Sequence, residues 1–200
     1  MNRSASTSTA LIRRLARPAR PLHLLSLPAP TPITAPAPAA EAPVSLAPPA
    51  SLVVAPGAKA WVGVVSRSHV QRGVAGGFAQ LCHGKGAALR RMMPGDFLVY
   101  YSPATEMKGG TPLKTFTALG RVTEREVYSF DMGEGFIPYR REIDYLPCAR
   151  EAAVRDLASE LAFVRENASW GMLARRGHFE ISLGDFAIIA RAMGVTPAPG

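Results

Sequence analysis

Aromatic rings, amides, imidazoles and cations occur close together between residues 61 and 85, and these residue types could bind a planar, charged ligand. Aromatic faces stack on a heterocyclic ring, amide groups pair with its edge, and cations hold phosphates outside it. Together they meet the requirements of a pocket for a single nucleobase. The candidate pocket residues are Trp61, Ser66, His69, Phe78, Gln80, His83, Tyr100, Tyr101 and Trp170.

The aromatic candidates have a second interpretation as core residues. Trp61 lies in an apolar run, where a buried indole with a satisfied N–H is the commoner situation. Trp170 follows polar residues and precedes a glycine, so the two interpretations are balanced there. Phe78 follows two glycines that let the backbone approach a ligand, although its ring could instead plug a turn. Tyr100 and Tyr101 must point to opposite faces of a strand, so at most one faces the pocket.

The polar candidates are also ambiguous when each is taken alone. An amide such as Gln80 can form two hydrogen bonds with a base edge. Ser66, His69 and His83 are nearby in the sequence, but isolated groups of these types are more often helix caps or surface residues.

Cations that could contact phosphates accompany the aromatic candidates. Lys85 lies between two glycines, whose backbone N–H groups are accessible to an anion. The pattern GxxxxGK[ST] is absent, so this is not a P-loop. Arginine pairs could follow a nucleic-acid backbone, or could simply face solvent. The candidate phosphate contacts are Lys85, Arg90, Arg91, Arg140, Arg141 and Arg175.

Several functional classes find no support in the sequence. The two cysteines, Cys82 and Cys148, form no CxxC pair and no cluster with metal-ligand spacing, so we expect no metal site, no disulfide and no cofactor. No apolar stretch approaches 18 residues, so we expect no membrane partner.

Composition divides the chain into a leader, residues 1–57, and a foldable domain, residues 58–195, with a short tail at 196–200. The leader holds eleven of the 18 prolines and no Phe, Trp or Tyr. Such a segment lacks the apolar surface needed to form a core. Five arginines and one acid give the leader +4 of the net +8, which leaves a mildly basic domain compatible with a polyanion.

The leader leaves the location of the protein open between two alternatives. An Ala/Pro/Arg-rich tail, or a start codon assigned too early in a GC-rich gene, is consistent with a cytoplasmic protein. The arginine-rich, acid-poor composition also resembles a transit peptide, which would imply a mitochondrion or plastid.

The elements that must position the candidates are short strands with helices between and after them. We predict strands at 60–66, 96–102, 115–128 and 136–145, the second of them ended by Pro103. We predict a short helix at 69–73 capped by Ser68, and further helices at 87–93, 152–163 and 183–193, the last capped by Ser182. This pattern indicates a compact α+β domain built around a small barrel or curved sheet.

A series of motifs in the domain resembles the EVE domain, in its bacterial form. They are WVGVVSRSHV, GGFAQLCHGK, LRRMMPGDFLVYYSP, FTALGRV and FIPYRREIDY, followed by Trp170-Gly171. The resemblance covers roughly residues 59–194 and implies a PUA-like fold, a small β-barrel with flanking helices. It also implies a non-catalytic module that holds one extruded, modified base of DNA or RNA, and we expect the protein to be a monomer.

Two alternatives to base binding stay open, and the first of them follows from the same resemblance. Some ASCH-like relatives of this fold are similar to hydrolases of modified nucleosides that use a lysine, a hydroxyl and an acid. Lys85, Thr115 or Thr117, and Glu124 or Asp96 supply those residue types, but no spacing joins them into one site. A role in protein interaction without nucleic acid is the third hypothesis, and the charge of the domain argues weakly against it.

Overall fold

The structure is a computed structural model that describes residues 54–167 and 169–195. Most of the predicted leader and the whole predicted tail lie outside these residues. The strands are β1 (Ala60–Val64), β2 (Phe78–Ala79), β3 (Phe97–Ala104), β4 (Pro112–Val122), β5 (Tyr128–Ser129), β6 (Tyr139–Tyr145), β7 (Ala152–Ala153) and β8 (His178–Ile181). The helices are α1 (Arg67–Gly76), α2 (Gly86–Arg91), α3 (Val154–Leu157), α4 (Ala162–Arg165), α5 (Trp170–Arg175) and α6 (Leu183–Ala192), and Cys82–Gly84 form a 3₁₀ turn.

The strands form one curled mixed sheet, a half-barrel, in the order β2-β6-β4-β3-β1-β8. β1 and β3 are parallel, and the other pairs are antiparallel. β5 adds to β6, and β7 adds to β4. The α+β class and the curled sheet with flanking helices are confirmed. No helix among the described residues has the length and apolarity to cross a bilayer.

Alternating side chains divide the core between the two faces of the sheet. On β3, Phe97, Val99 and Tyr101 belong to the cluster that packs against α3, α4 and α6. Leu98 and Tyr100 belong to the other cluster, together with residues of α1 and α2. Successive strand residues point to opposite faces, so the prediction that the two tyrosines separate is confirmed.

The predicted helix at 152–163 is wrong, because the chain changes direction twice within it. Residues 152–153 join the sheet as β7, and α3 and α4 are separate four-residue helices. α4 begins where the Asp185 carboxylate accepts hydrogen bonds from Ala162 N at 2.7 Å and Phe163 N at 3.3 Å. A carboxylate from a distant part of the chain therefore provides the N-terminal cap that the local sequence lacks.

Several further boundaries differ from the predictions, among them a predicted cap and a predicted strand end, whereas one cap is confirmed. Ser68 lies inside α1 and does not cap it, because the helix begins at Arg67. Pro103 does not end β3, which continues to Ala104. Ser182 caps α6 as predicted, since its side chain accepts a hydrogen bond from Asp185 N.

Candidate nucleic-acid interface

A cavity of about 730 Å³ lies beside β2, one terminal strand of the sheet, and beside Gly177, the residue before β8. Its volume falls within the range of about 300–1,000 Å³ that is usual for small-molecule sites. We call it the site cavity. Its lining residues are Val64, Val65, Ser66, His69, Arg72, Phe78, Gln80, Leu81, Cys82, His83, Gly84, Lys85, Met107, Met132, Phe136, Arg140, Ala174, Arg175, Arg176 and Gly177.

The site cavity brings together residues predicted as pocket groups and residues predicted as phosphate contacts. They come from the end of β1, from α1, from the segment 78–85, from β6 and from α5. The predicted residues that line it are Ser66, His69, Phe78, Gln80, His83, Lys85, Arg140 and Arg175.

The glycines before Phe78 permit a close approach of helix and strand. Gly77 ends α1 in the left-handed conformation, with φ at 66°, and reverses the chain into β2. A Cβ at Gly73 would lie 2.7 Å from the Phe78 carbonyl oxygen, so only glycine fits there. The same carbonyl accepts a hydrogen bond of 2.9 Å from the Tyr145 hydroxyl. These contacts hold the Phe78 backbone against α1.

A strained turn holds His83 and Lys85 at the edge of the cavity. Cys82, His83 and Gly84 have consecutive positive φ values of 48°, 57° and 81°. Left-handed backbone is costly for residues other than glycine and is enriched at binding sites. A Cβ at Gly84 would come 2.5 Å from Pro138 Cβ, which explains the glycine in this turn. His83 and Lys85 are both exposed.

Arg140 occupies the wall of the cavity and not its outside, where phosphate contact was predicted. Its Cζ lies 3.8 Å from the centre of the Phe78 ring and 3.7 Å from that of Phe130. Its Nε donates a hydrogen bond of 3.2 Å to Gln80 Oε1. Only 8% of Arg140 is exposed. Burial lowers its pKa, but a guanidinium retains its charge in proteins.

Gln80 and His69 form the polar floor beside Arg140. Gln80 is buried, its side-chain oxygen is engaged by Arg140, and its carbonyl oxygen is 3.1 Å from His69 Nε2. A carbonyl only accepts, so His69 Nε2 carries the proton and Nδ1 is left as an acceptor. Burial lowers the pKa of His69, the bond to Gln80 opposes this, and Arg72 and Arg140 lower the pKa further. The charged form of His69 is therefore disfavoured.

The charge around the site cavity has one sign. Its lining includes Arg72, Lys85, Arg140, Arg175 and Arg176, and no aspartate or glutamate. None of these five cations forms an ion pair within the part of the chain that the structure describes. Charges of one sign in a concave site focus the potential and attract a ligand of the opposite sign. The cavity is therefore suited to an anion.

Trp61 does not line the cavity, so the core interpretation describes its position. It is 2% exposed and stacks on His178, with ring centres 4.8 Å apart. Its Nε1 donates a hydrogen bond of 2.8 Å to Asp96 Oδ2, which satisfies the indole. Burial of Tyr100 raises the pKa of its hydroxyl to about 12, and that residue is also core. Neither ring is available to a ligand.

Trp170 and Tyr101 pack together away from the cavity. Trp170 is the first residue of α5 and not part of a loop. Its ring meets Tyr101 edge-on at 5.5 Å and Phe163 at 6.1 Å, and it is partly buried against the core. The structure therefore does not place Trp170 or Tyr101 where either was predicted as a pocket wall.

We expect Trp170→Ala to lower the free energy of unfolding by about 2 kcal/mol, because it removes two aromatic contacts at a partly buried position. Oligonucleotide binding by the folded fraction should be unchanged. Denaturant unfolding and a binding titration on the same sample measure both quantities. Unchanged stability combined with weakened binding would contradict the core position and indicate that Trp170 contacts the ligand.

The other predicted phosphate contacts lie outside the site cavity. Arg90 covers the ring of Tyr139, with its Cζ 4.7 Å from the ring centre, and Arg91 covers Trp61 at 4.8 Å. Arg141 is 4% exposed on β6, and its Nε has no hydrogen-bond partner among the described residues. The adjacent residues Arg140 and Arg141 point to opposite sides of the strand, so one can line the cavity without the other.

The structure does not assemble the residue types considered for hydrolysis. Lys85 lines the cavity, whereas the Asp96 carboxylate is 2% exposed and holds Trp61 elsewhere. Thr115 donates to the Leu113 carbonyl oxygen, and Thr117 is paired with the Ser102 hydroxyl. In the segments that the structure describes, no group of three or more His, Cys, Asp or Glu side chains could hold a metal ion.

Sequence reasoning missed several apolar and basic residues of the cavity. Phe136 was not among the candidates although it belongs to the motif FIPYRREIDY, whereas Arg176 belongs with Arg175 to one of the arginine pairs that could follow a nucleic-acid backbone. Arg72, Met107 and Met132 carried no local signal, because they come from a helix face and two loops that meet only in the fold.

The comparisons with known proteins come from sequence and structure. The sequence model of the EVE domain family matches residues 59–192. The UPF0310 protein YdcG of Bacillus subtilis is 53% identical over 135 residues, which cover 68% of this chain and 92% of that protein. A UPF0310 protein of Mycolicibacterium vanbaalenii is 45% identical over 137 residues, covering 68% and 93%. An NMR structure of Rpa0253 from Rhodopseudomonas palustris aligns with a TM-score of 0.45 at 16% identity, over 68% of this chain and 93% of that one.

Proposed function

This chain belongs to the EVE domain family, and we propose that it binds nucleic acid by holding one nucleobase, modified in the preferred ligand, in the site cavity. Binding involves no turnover. The protein acts as a monomer in the cytoplasm. A domain family associated with nucleic acids supplies the ligand class, and the site supplies the means of holding it.

The observation that carries this proposal is the combination of charge and ring surface in one cavity. Five cations without a carboxylate select an anionic ligand. Phe78 and the half-exposed Phe136 provide ring surface beside them. Inorganic anions need no aromatic surface, and apolar metabolites need no cations, whereas a base attached to a phosphate backbone needs both.

The cations divide into an inner and an outer set with different tasks. Arg140 is buried in the wall beside Gln80, where it meets the base itself. Lys85 and Arg175 are exposed at the edge, where the backbone of an extruded nucleotide must leave the cavity. Phosphate contacts position a nucleic acid, and contacts to the base edge specify it.

The test is a binding titration of the full chain with single-stranded and duplex oligonucleotides that carry methylated or unmethylated bases. We expect Lys85→Ala and Arg175→Ala to weaken binding without changing the preferred base. Each substitution should reduce the slope of log K against log salt by about 0.7 on single strands, or about 0.9 on duplexes.

Arg155→Ala is the matched control, because Arg155 is an exposed arginine on α3 outside the site cavity. It should leave both affinity and slope unchanged. Binding by the parent protein that does not depend on salt would overturn the electrostatic part of the proposal. Release of a free base or altered nucleoside in the same tubes would overturn binding without turnover.

A further inference from the structure

The guanidinium of Arg140 is fixed in one plane more firmly than ligand attraction alone requires. Phe78 and Phe130 each lie less than 4 Å from its Cζ, measured to the ring centres. The hydrogen bond from Nε to Gln80 Oε1 removes the remaining rotation about the side-chain axis. An arginine that served only as a positive charge near a phosphate would need none of these contacts.

The part of the Arg140 guanidinium that remains for a ligand is the edge formed by Nη1 and Nη2, which presents two parallel N–H donors. Nε is engaged by Gln80, so Nη1 and Nη2 are the donors that remain. Arg140 lines the cavity although only 8% of the residue is exposed. It has no carboxylate partner among the described residues. The two Nη groups have no acceptor among the described residues, so a ligand that supplies two acceptors gains most.

Only some base edges present two adjacent acceptors. Guanine does so through O6 and N7, and cytosine does so through O2 and N3. Adenine places its amino group beside N1 and N7, and thymine and uracil place an N–H between their two carbonyl oxygens. Adenine, thymine and uracil therefore offer a fork of two donors only single acceptors and no pair of adjacent acceptors.

We propose that Arg140 determines base choice, by pairing its Nη edge with two adjacent acceptors of guanine or cytosine and rejecting adenine, thymine and uracil. This inference rests on the proposed function, since it assumes that a base enters the site cavity. The neighbouring Gln80 positions the fork, because its side-chain oxygen holds Nε.

The experiment varies one base while every phosphate stays in place. The probes are single strands that are abasic except for one central guanine, cytosine, adenine or thymine, and the readout is the Kd of the full chain for each. We expect guanine, cytosine or both to bind at least about tenfold tighter than adenine and thymine, because one bidentate pair discriminates by that order. Replacing N7 of guanine by carbon removes one of the two acceptors, so it should abolish any tighter binding of the guanine probe. Tighter binding of the cytosine probe does not depend on that atom.

Arg140→Lys tests the same inference from the protein side, because it keeps the charge and removes the planar fork. The preference for guanine or cytosine should fall about tenfold, whereas Arg175→Lys, the matched control at the edge, should retain it. Circular dichroism checks folding, and the guanine analogue gives the answer with the parent protein if Arg140→Lys does not fold.

The outcomes separate this inference from the proposal beneath it. Equal binding of all four bases by the parent protein would overturn base choice by Arg140 and leave nucleic-acid binding in place. If Arg140→Lys weakens binding to all four probes by the same factor, Arg140 is a phosphate contact and does not select the base. If the parent binds none of the probes and no oligonucleotide in the earlier titration, the proposed function itself fails.

Discussion

Asp96→Ala is expected to lower the free energy of unfolding by about 3–5 kcal/mol, because it removes a buried carboxylate that accepts from three donors, of which the Trp61 indole N–H is itself buried. Asp96 is 2% exposed. Its Oδ1 accepts from Lys59 N at 2.9 Å, and its Oδ2 accepts from Trp61 Nε1 at 2.8 Å and Met93 N at 2.9 Å. The side chain ties the start of β1 to the loop before β3, and alanine leaves all three donors without an acceptor.

Urea unfolding of the full chain measures this loss. Asp144→Ala is the matched control, because Asp144 is an exposed aspartate on β6 and should change stability by less than about 0.5 kcal/mol. Binding per folded molecule should be unchanged in Asp96→Ala, since Asp96 does not line the site cavity. A loss of binding at unchanged stability would contradict the structural role of Asp96 and would support Asp96 as the acid in the hydrolase hypothesis.

Acidification is expected to destabilise the protein through His178 by about 3 kcal/mol between pH 6.5 and 4. His178 is 5% exposed, it stacks on Trp61, and neither ring nitrogen has a partner among the described residues. Burial lowers its pKa from 6.5 to about 4, and the nearby charge of Arg91 adds to the effect. The unfolded chain thus takes up a proton in this window that the folded protein refuses, so stability is complete above it and falls as the pH drops through it.

His178→Phe should remove this dependence, because phenylalanine keeps the stack on Trp61 and has no titratable nitrogen. Stability at neutral pH should be equal or higher, since two unpartnered polar atoms leave the core. The measurement is the free energy of unfolding in urea at neutral pH and at several values from 6.5 to 4. A parent and a variant with parallel pH profiles would show that His178 takes its proton in the folded state as readily as in the unfolded one.

Local sequence predicted the polar part of the site better than the aromatic part. Ser66, His69, Gln80 and His83 lie within 18 positions of one another, so a strand, a helix and a turn suffice to bring them together. An aromatic ring, in contrast, is common both in cores and in ligand pockets. Its position depends on the side chains that pack against it from other elements. The Trp61 ring packs on His178, which is far from it in the sequence, and the Trp170 ring packs on Phe163, which belongs to another helix.

The arginine pairs show the same limit at one strand. The sequence places Arg140 and Arg141 on neighbouring positions of β6, and strand geometry requires them to face opposite ways. Nothing local decides which side is the cavity. That side is chosen by Phe78 and Phe130, which come from β2 and from the segment after β5 and meet Arg140 only in the folded sheet.

By itself the sequence determined the fold class, most of the strand and helix positions, the capped last helix and the family, because these depend on composition, local backbone preference and ordered motifs. The tertiary structure decided where the chain at 152–163 breaks, since the Asp185 carboxylate that starts α4 comes from a helix more than 20 residues later. It also decided that Arg140, and not a tryptophan, forms the wall of the site cavity. Burial and cross-strand neighbours settle such choices, and both are properties of the packed sheet that no short stretch of residues contains.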